Sequence, residues 1–314
     1  MNQSLLVALV AVPVLLNHLW RKASRITNEP GRIAVVTGAA GGVGKETVLQ
    51  LVEQGWKVYA CDVNEAGLVS ANFPLQQVTT VAFDVRNEEQ CQALVDRVAG
   101  ENGGALDALL NIAGVVQPGP VCGFSSAQVR FLYEINTFGP IALCGMFVPL
   151  LLKGRFGGSI VNLASISAKM AWPWSGSYSS SKAALLSFSD GLRREALAND
   201  LPLRVSVVVP GPIITPMISH VPESLKKWAT SNPTSPFMFA CGAEADFMLK
   251  LKQVGFSQDS VSVTPQHVAG VCVGLLDDLY PAATKLVMTL PFTLLYSLCA
   301  YLPVVLGDRL LVAM

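Results

Sequence analysis

Charge is scarce in this chain of 314 residues: Asp, Glu, Lys and Arg make up 14% of it, against ~25% in an average soluble domain. Basic and acidic side chains number 22 each, so there is no net charge with which to hold a phosphate backbone. A nucleic-acid binder that works by phosphate contacts is excluded, and 51% hydrophobic residues exclude intrinsic disorder. Histidine is nearly absent, with only His18, His220 and His267. The seven cysteines, Cys61, Cys91, Cys122, Cys144, Cys241, Cys272 and Cys299, are scattered, odd in number and without a CxxC pair. That pattern argues against structural zinc or any other metal site and suits a reducing compartment. Repeats and low-complexity linkers are also missing.

Charge disappears altogether from Met1 to Trp20, and then Arg21, Lys22 and Arg25 follow. The apolar run is short for a span: Leu5 to Trp20 gives ~24 Å as a helix, against ~30 Å of hydrocarbon. A cleaved signal peptide would carry its positive charge before the run and a small-residue cleavage site after it. Here the charge comes after, and His18-Leu19-Trp20 suits cleavage poorly. Residues 1–25 therefore read as an uncleaved hydrophobic membrane anchor with a basic flank, and the flank places the rest of the chain in the cytosol. At the other end, Leu286 to Gly307 is also free of charge, but Pro291 and Pro303 interrupt it. The tail, residues 286–314, reads as one strand followed by amphipathic helical pieces that cover a pocket or touch a bilayer.

Between the ends, short β-branched runs alternate with helical patterns. Strands are expected at Arg32–Thr37, Lys57–Cys61, Val78–Phe83, Asp107–Asn111, Gly158–Ala164 and Leu203–Val209. Helices are expected from the glycine-rich turn to about Gln54, from Asn136 to Leu152 and from Ser177 to Asn199. Asn87 with Gln90 three residues on reads as a capping box, and Thr264-Pro265 as a helix start. Apolar strands alternating with helices predict an α/β fold, a single doubly wound parallel sheet with helices on both faces.

The first strand runs into Gly38-Ala39-Ala40-Gly41-Gly42-Val43-Gly44 and then a helix. Glycines let a backbone approach a pyrophosphate closely, and a helix N-terminus supplies unpaired N–H groups. A Walker A loop would need glycine at position 39 and Ser or Thr at 46, where Ala39 and Glu46 stand. A dinucleotide needs an acid at the end of the second strand for the adenosine ribose, and Asp62 stands there. Its carboxylate would repel a 2′-phosphate, so NAD is expected rather than NADP. Further on, Tyr178-Ser179-Ser180-Ser181-Lys182 puts a phenol and an ammonium on one helix face. A nearby cation favours phenolate, which gives an acid/base for moving a proton on a hydroxyl or carbonyl.

The segments TGAAGGVG (Thr37 to Gly44), NIAG (Asn111 to Gly114), Asn136, Ser165, YSSSK (Tyr178 to Lys182) and PGPIIT (Pro210 to Thr215) occur in one order. Together they resemble the short-chain dehydrogenase/reductase family, strongly from Arg32 to Met217 and more loosely to Arg309. The resemblance implies a Rossmann-type fold and an enzyme acting on CH–OH groups. It implies catalytic roles for Asn136, Ser165, Tyr178 and Lys182: Tyr178 as proton donor and acceptor, Lys182 lowering its pKa and holding the nicotinamide ribose. Ser165 would hold the substrate oxygen, and Asn136 a water linking Lys182 to solvent. Gly38, Gly42, Val43 and Gly44 would line the pyrophosphate, Asp62 the ribose, and Asp84 with Val85 the adenine. Asn111, Ala113 and Gly114 would line the cofactor cleft; Pro210, Gly211, Ile213 and Thr215 would meet the nicotinamide. One departure is Ile112, where the family has a second asparagine; that position faces the sheet, so little loss is expected.

Within this reading, residues 32–314 form the catalytic domain and 216–260 close over the substrate as a lid. The lid is rich in apolar side chains, Met217, Ile218, Val221, Leu225, Trp228 and Phe237 among them. Trp172 and Trp174 stand where they would form pocket wall or plain packing, and His267 reads as a helix-face residue. The tail resembles that of the branch containing retinol and hydroxysteroid dehydrogenases. The expected substrate is thus a hydrophobic, lipid-like alcohol or ketone (steroid, retinoid or similar). The alternatives are a small polar alcohol or ketone, NADPH-dependent lipid ketone reduction, or a non-catalytic NAD-binding scaffold at a membrane. The resemblance further implies a homodimer or homotetramer, and the anchor suggests an endoplasmic reticulum membrane with the catalytic domain facing the cytosol.

Overall fold

Alternate residues of an extended strand point to opposite faces, so a strand covered on both sides must be apolar at every position. In the computed structural model, β1 (Ile33–Thr37), β4 (Ala108–Asn111), β5 (Gly158–Leu163) and β6 (Leu203–Pro210) come close to that demand, with a few polar positions such as Asn111 and Asn162, and are buried almost throughout. β2 (Lys57–Asp62) is buried between its two ends. β3 (Val78–Ala82) alternates with exposed positions, and β7 (Thr284–Val287) exposes its two middle residues, as sheet edges do. All seven strands run parallel in the order β3-β2-β1-β4-β5-β6-β7. The structure describes residues 29–213, 215, 220–236, 262–278 and 284–288. The expected anchor at 1–25, most of the lid at 216–260 and the tail beyond residue 288 lie outside the described residues.

Helices cover both faces. On one, α1 (Gly42–Glu53), α2 (Glu65–Ser70) and α8 (Pro265–Gly274) lay Val48, Leu51, Leu68 and Val268 against Ala34, Val36, Val58 and Leu110. On the other, α3 (Glu88–Glu101), α5 (Gly139–Leu151) and α6 (Gly176–Ala198) lay Leu94, Val98, Phe147 and Ala196 against Val35, Leu109, Ile160 and Val205. Burying one Leu or Phe of this kind stabilises the fold by about 1.5–3 kcal/mol. Residues Ser126–Leu151 form the one stretch among those described that is long and apolar enough to cross a membrane, and half of it is buried inside the protein.

Three boundaries differ from the sequence reading. The helix expected from Asn136 starts ten residues earlier, as α4 (Ser126–Tyr133), because Ser125 and Gln128 form a reciprocal capping box. It then passes through a single π-turn, Glu134–Phe138, before α5. At Asn87 only half of the expected box forms: Asn87 Oδ1 accepts from the Gln90 N–H at 3.0 Å, but Gln90 Oε1 turns to the Asp84 N–H at 2.8 Å. Thr264 does cap α8, accepting from the His267 N–H at 3.2 Å, with Pro265 in its first turn and His267 exposed.

Strand order reverses between β1 and β4, and the carboxyl ends of strands flanking such a switch point form a crevice. The glycine-rich turn leaves β1 there, and Ile112, Ala113 and Gly114 leave β4 there. Thr37 ties the two, its Oγ1 accepting from the N–H groups of Ile112 and Ala113, each at 3.1 Å. Ile112 itself packs into the core beneath.

Candidate active site

The turn after β1 is built to exclude side chains. A Cβ on Gly38 would lie 2.8 Å from Ala113 Cα, and one on Gly44 only 2.0 Å from the Gly38 carbonyl oxygen. Gly38 and Gly42 hold φ of 72° and 53°, a region that costs other residues strain. Gly41 is the N-cap of α1; it offers no side-chain cap, the first turn holds no acid, and a Cβ there would meet open space. The first-turn N–H groups are therefore left to an anionic ligand, which suits a pyrophosphate. Val43 is buried beneath the turn, and the Thr215 methyl lies 3.4 Å from where a Gly42 Cβ would be.

Asp62, at the end of β2, reaches this turn. Its Oδ2 accepts from the Ala40 N–H at 2.9 Å and its Oδ1 from the Asn64 N–H at 2.9 Å. Each oxygen keeps a lone pair for another donor. Asp84, beyond β3, is gripped by Arg86, whose Nε lies 2.9 Å from both carboxylate oxygens. That contact holds the Asp84 carboxyl below its ordinary range and raises Arg86. The Arg86 guanidinium lies over the Phe131 ring, 5.2 Å from its centroid. The carboxylate expected at an adenine thus has a partner within the chain. Beside it, the Val85 carbonyl lies 2.9 Å from where a Cβ on Gly139 would be, so α5 crosses here only because that residue is glycine.

The Asn111 side chain does not point into the cleft. Its Nδ2 donates to Asn162 Oδ1 at 2.8 Å, and Asn162 Nδ2 to Ser189 Oγ at 2.8 Å, a buried bridge from β4 through β5 to α6. Its place in the cleft is limited to its backbone, with Ala113 and Gly114 following. Gly114 faces Lys182 and Asn136: a Cβ there would lie 3.1 Å from Lys182 Nζ and 3.2 Å from Asn136 Oδ1.

Tyr178 and Lys182 stand one turn apart near the start of α6. The Tyr178 hydroxyl is hydrogen-bonded to Ser165, which caps the short 3-10 turn after β5. Ser165 Oγ accepts from the Ser167 N–H at 3.2 Å, leaving its own proton for the phenol oxygen. Burial raises the Tyr178 pKa and the Ser165 hydrogen bond pulls it back. Lys182, 3% exposed, donates from Nζ to the Leu163 carbonyl at 2.9 Å. Burial takes it down to about 8. Asn136 sits in the π-turn, an arrangement frequent at functional sites. Its Oδ1 and Nδ2 each lie 2.9 Å from their partners, the Val115 N–H and C=O.

Beyond β6, the Gly211 N–H donates to the Val287 carbonyl at 2.9 Å, and Ile213 forms an isolated bridge with Val263. These contacts swing Pro210 to Thr215 back over the glycine turn. The outer wall comes from three segments. In α7 (Val221–Ser231), Leu225 and Ala229 pack with Trp174 and Trp228. Trp228 presses on the loop after β4, where a Cβ on Gly123 would lie 2.5 Å from its ring. Trp174 holds φ of 63°, unusual for a large side chain, while its carbonyl accepts from the Gly119 N–H at 2.7 Å. Trp172 faces the other way, into Ile166, Val207 and Val209. His220 is exposed at the start of α7.

Sequence reasoning passed over Gly41, Ser181 and Thr37. All three lie inside quoted motifs, but nothing in their residue type marks them out; only the contacts do.

A sequence model described as short chain dehydrogenase matches residues 32–226, which holds six of the seven strands and part of the outer wall. The 3-oxoacyl-[acyl-carrier-protein] reductase of Thermotoga maritima is 29% identical over 205 residues, 64% of this chain and 82% of that one. The dehydrogenase/reductase SDR family member 7B of Danio rerio is 31% identical over 66% of this chain and 69% of that one. Against a short-chain dehydrogenase of Penicillium crustosum, 34% identical over 52% of this chain, the match spans 60% of the relative. Among solved structures, a Burkholderia phymatum short chain dehydrogenase/reductase in complex with NAD superposes with a TM-score of 0.68 at 23% identity. It covers 86% of this chain and 92% of that one. With the matched span enclosing the glycine turn, the Ser165–Tyr178 pair and the switch point between them, the chain belongs to the short-chain dehydrogenase/reductase family, NAD(P)-binding oxidoreductases that act on CH–OH groups of small alcohols and ketones.

Proposed function

We propose that the chain is an NAD(H)-dependent enzyme that interconverts a hydroxyl and a carbonyl on a hydrophobic, lipid-like substrate, with Tyr178 as the acid/base. The observation that carries this reading is the Tyr178 hydroxyl bonded to Ser165, with Lys182 one helical turn away and fixed by the Leu163 carbonyl. In oxidation, the Tyr178 oxygen, as phenolate, takes the proton of the substrate hydroxyl. Ser165 Oγ donates to the same substrate oxygen and holds it as charge develops there. The Lys182 ammonium offsets the burial that disfavours phenolate. In reduction, Tyr178 returns the proton to the forming alkoxide. When bound, the dinucleotide supplies the hydride acceptor or donor. Gly38, Gly42, Val43 and Gly44 would hold its pyrophosphate, Pro210, Gly211, Ile213 and Thr215 its nicotinamide end, and Val85, Ala113 and Gly114 the cleft between.

NAD rather than NADP is favoured by Asp62, whose carboxylate lies against the Ala40 amide where a 2′-phosphate would have to stand. The lipid-like substrate is favoured by the apolar wall of Trp174, Leu225 and Trp228. Membrane attachment through residues 1–25, a lid over 216–260 and placement at the endoplasmic reticulum rest on the sequence pattern. Dinucleotide reduction by detergent-solubilised protein, with NAD and NADP in parallel against steroids, retinoids, hydroxy acids and polyols, tests the whole. NAD-linked oxidation of an apolar alcohol, lost in Tyr178→Phe, is the expected result. A second reading, NADPH-dependent lipid ketone reduction, draws support from the NADPH-dependent 1-acyldihydroxyacetone phosphate reductase of Saccharomyces cerevisiae, 31% identical over 55% of this chain. Turnover with NADPH alone would select it.

A further inference from the structure

Just beyond β3 one carboxylate is held by one neighbouring residue. Asp84 Oδ1 accepts from the Arg86 backbone N–H at 2.9 Å, Arg86 Nε lies 2.9 Å from both carboxylate oxygens, and Nη2 reaches Oδ2. A carboxylate offers about four lone-pair directions, and these four contacts take them up. An exposed ion pair is usually weak, but this one has several supports. The guanidinium fork meets both oxygens side by side, which a point charge could not do. Its partner is only two residues away in the chain, and its other side lies over the Phe131 ring of α4. The Asp84 backbone is fixed as well: its N–H donates to Gln90 Oε1 at 2.8 Å, and its carbonyl accepts from the Asn87 N–H at 2.9 Å.

The place of the pair gives it meaning. β2 and β3 run side by side towards the crevice, with Asp62 opposite Ala82, and the Phe83 N–H donates to the Asp62 carbonyl at 3.0 Å. Asp84 is thus the next residue out from the partner of the acid assigned to the adenosine ribose, and the base on that ribose would lie beside it. The inference rests on that dinucleotide reading. A free carboxylate at this point would accept from the 6-amino group of adenine and repel the 6-oxo group of hypoxanthine. We propose that Arg86 is a specificity-determining residue for the base: by occupying the Asp84 carboxylate it leaves no acceptor for the amino group, so that adenine and hypoxanthine are received alike. The pair carries no net charge, so a 6-oxo group meets no repulsion there.

The test is fluorescence titration of the detergent-solubilised full chain with NAD and with nicotinamide hypoxanthine dinucleotide. Wild type should bind the two within about twofold of one another. Arg86→Met keeps an apolar stem beside Phe131 and the backbone N–H on Oδ1, but it frees Oδ2. That variant should favour NAD about tenfold, the worth of one hydrogen bond to a charged acceptor. The double variant Arg86→Met with Asp84→Ala has no carboxylate and should lose the preference again. Arg86→Lys, able to pair with one oxygen at a time, should fall between and carries the test if Arg86→Met does not fold. The ratio of the two affinities is the readout, since a loosened fold would weaken both dinucleotides equally. A wild type that favours NAD tenfold or more, or an Arg86→Met variant with an unchanged ratio, would overturn the proposal. If wild type binds neither dinucleotide, the dinucleotide reading itself fails and the proposal falls with it.

Discussion

Asp62 and Ala40 are joined across the crevice, the carboxylate Oδ2 accepting from the amide N–H at 2.9 Å. The end of β2 and the turn after β1 are thereby one piece, and the group that would read the ribose also shapes the turn beside it. Asp62→Ala should weaken NAD binding about tenfold, the worth of one or two hydrogen bonds to a charged acceptor. It should also narrow the preference for NAD over NADP. Fluorescence titration of both dinucleotides checks this; undiminished NAD affinity in the variant would remove Asp62 from the ribose site.

Gly44 and Gly41 make a matched pair. At Gly44 a methyl group meets the Gly38 carbonyl at 2.0 Å, whereas at Gly41, with φ of −170°, it meets nothing within 4 Å. Gly44→Ala should lower stability by about 1–3 kcal/mol as the turn is forced apart. Gly41→Ala should leave thermal stability unchanged while weakening dinucleotide binding, because the open space at Gly41 is where an anion approaches. Equal melting temperatures for the two variants would contradict this packing.

Lys182 links folding to pH. Burial lowers its pKa from 10.5 to about 8. Below pH 8 the lysine is charged in both states, and the folded protein bears the cost of a buried ammonium. Between pH 8 and 10.5 the unfolded chain binds more protons, so this cost fades as pH rises. The difference corresponds to about 3 kcal/mol. Lys182→Met should therefore be the more stable protein at pH 7, with the gap closing towards pH 10. The comparison must be with wild type at each pH. Above pH 9 the buried thiols of Cys91, Cys144 and Cys272, raised to about 11, 12 and 12, act in the opposite direction in both proteins. Urea denaturation at pH 7 and 10 reads the gap, and a constant gap would be inconsistent with a depressed lysine.

Trp228 should separate large substrates from small ones. Its ring fills the notch left by Gly123 and Gly119 and packs with Trp174. Trp228→Ala should raise KM for an apolar substrate about tenfold, as one large apolar contact is lost. For a short alcohol KM should change little. Equal effects on both would mean that the wall only supports the fold.

The sheet was legible because its strands are buried on both faces: runs such as IAVVT and LRVSVVV are mostly β-branched and apolar and end at turn residues. Six of the seven strands fall within a residue of where the pattern puts them. The seventh, Thr284–Val287, begins ahead of the apolar tail in which a strand was expected, since edge positions Lys285 and Leu286 are exposed and obey no alternation with the core. Around the site the sequence names residue types but not directions. Asn111 turns its amide nitrogen under the sheet to Asn162, and Asp84 turns its carboxylate to Arg86, because a partner from a distant or adjacent segment binds each there. The π-turn at Asn136 was hidden for a similar reason: nothing in EINTF marks an inserted residue.

All seven strands point the same way, and this fixes where the two ends of the described chain leave the sheet. Glu29 and Pro30 lie at the rim where strands begin, against Arg155; Val287 ends at the rim where the glycine turn, Ser165 and Pro210 gather. The two uncharged stretches of the sequence are thus attached to opposite poles, roughly one strand length apart, about 15–20 Å. A bilayer that grips only the first pole stands the molecule upright with its mouth towards the water. One that grips only the second turns the mouth into the lipid. A grip on both lays the strands flat along the surface, with the crevice opening sideways. Strand direction converts the choice of which end is held into a choice of how the enzyme meets its substrate.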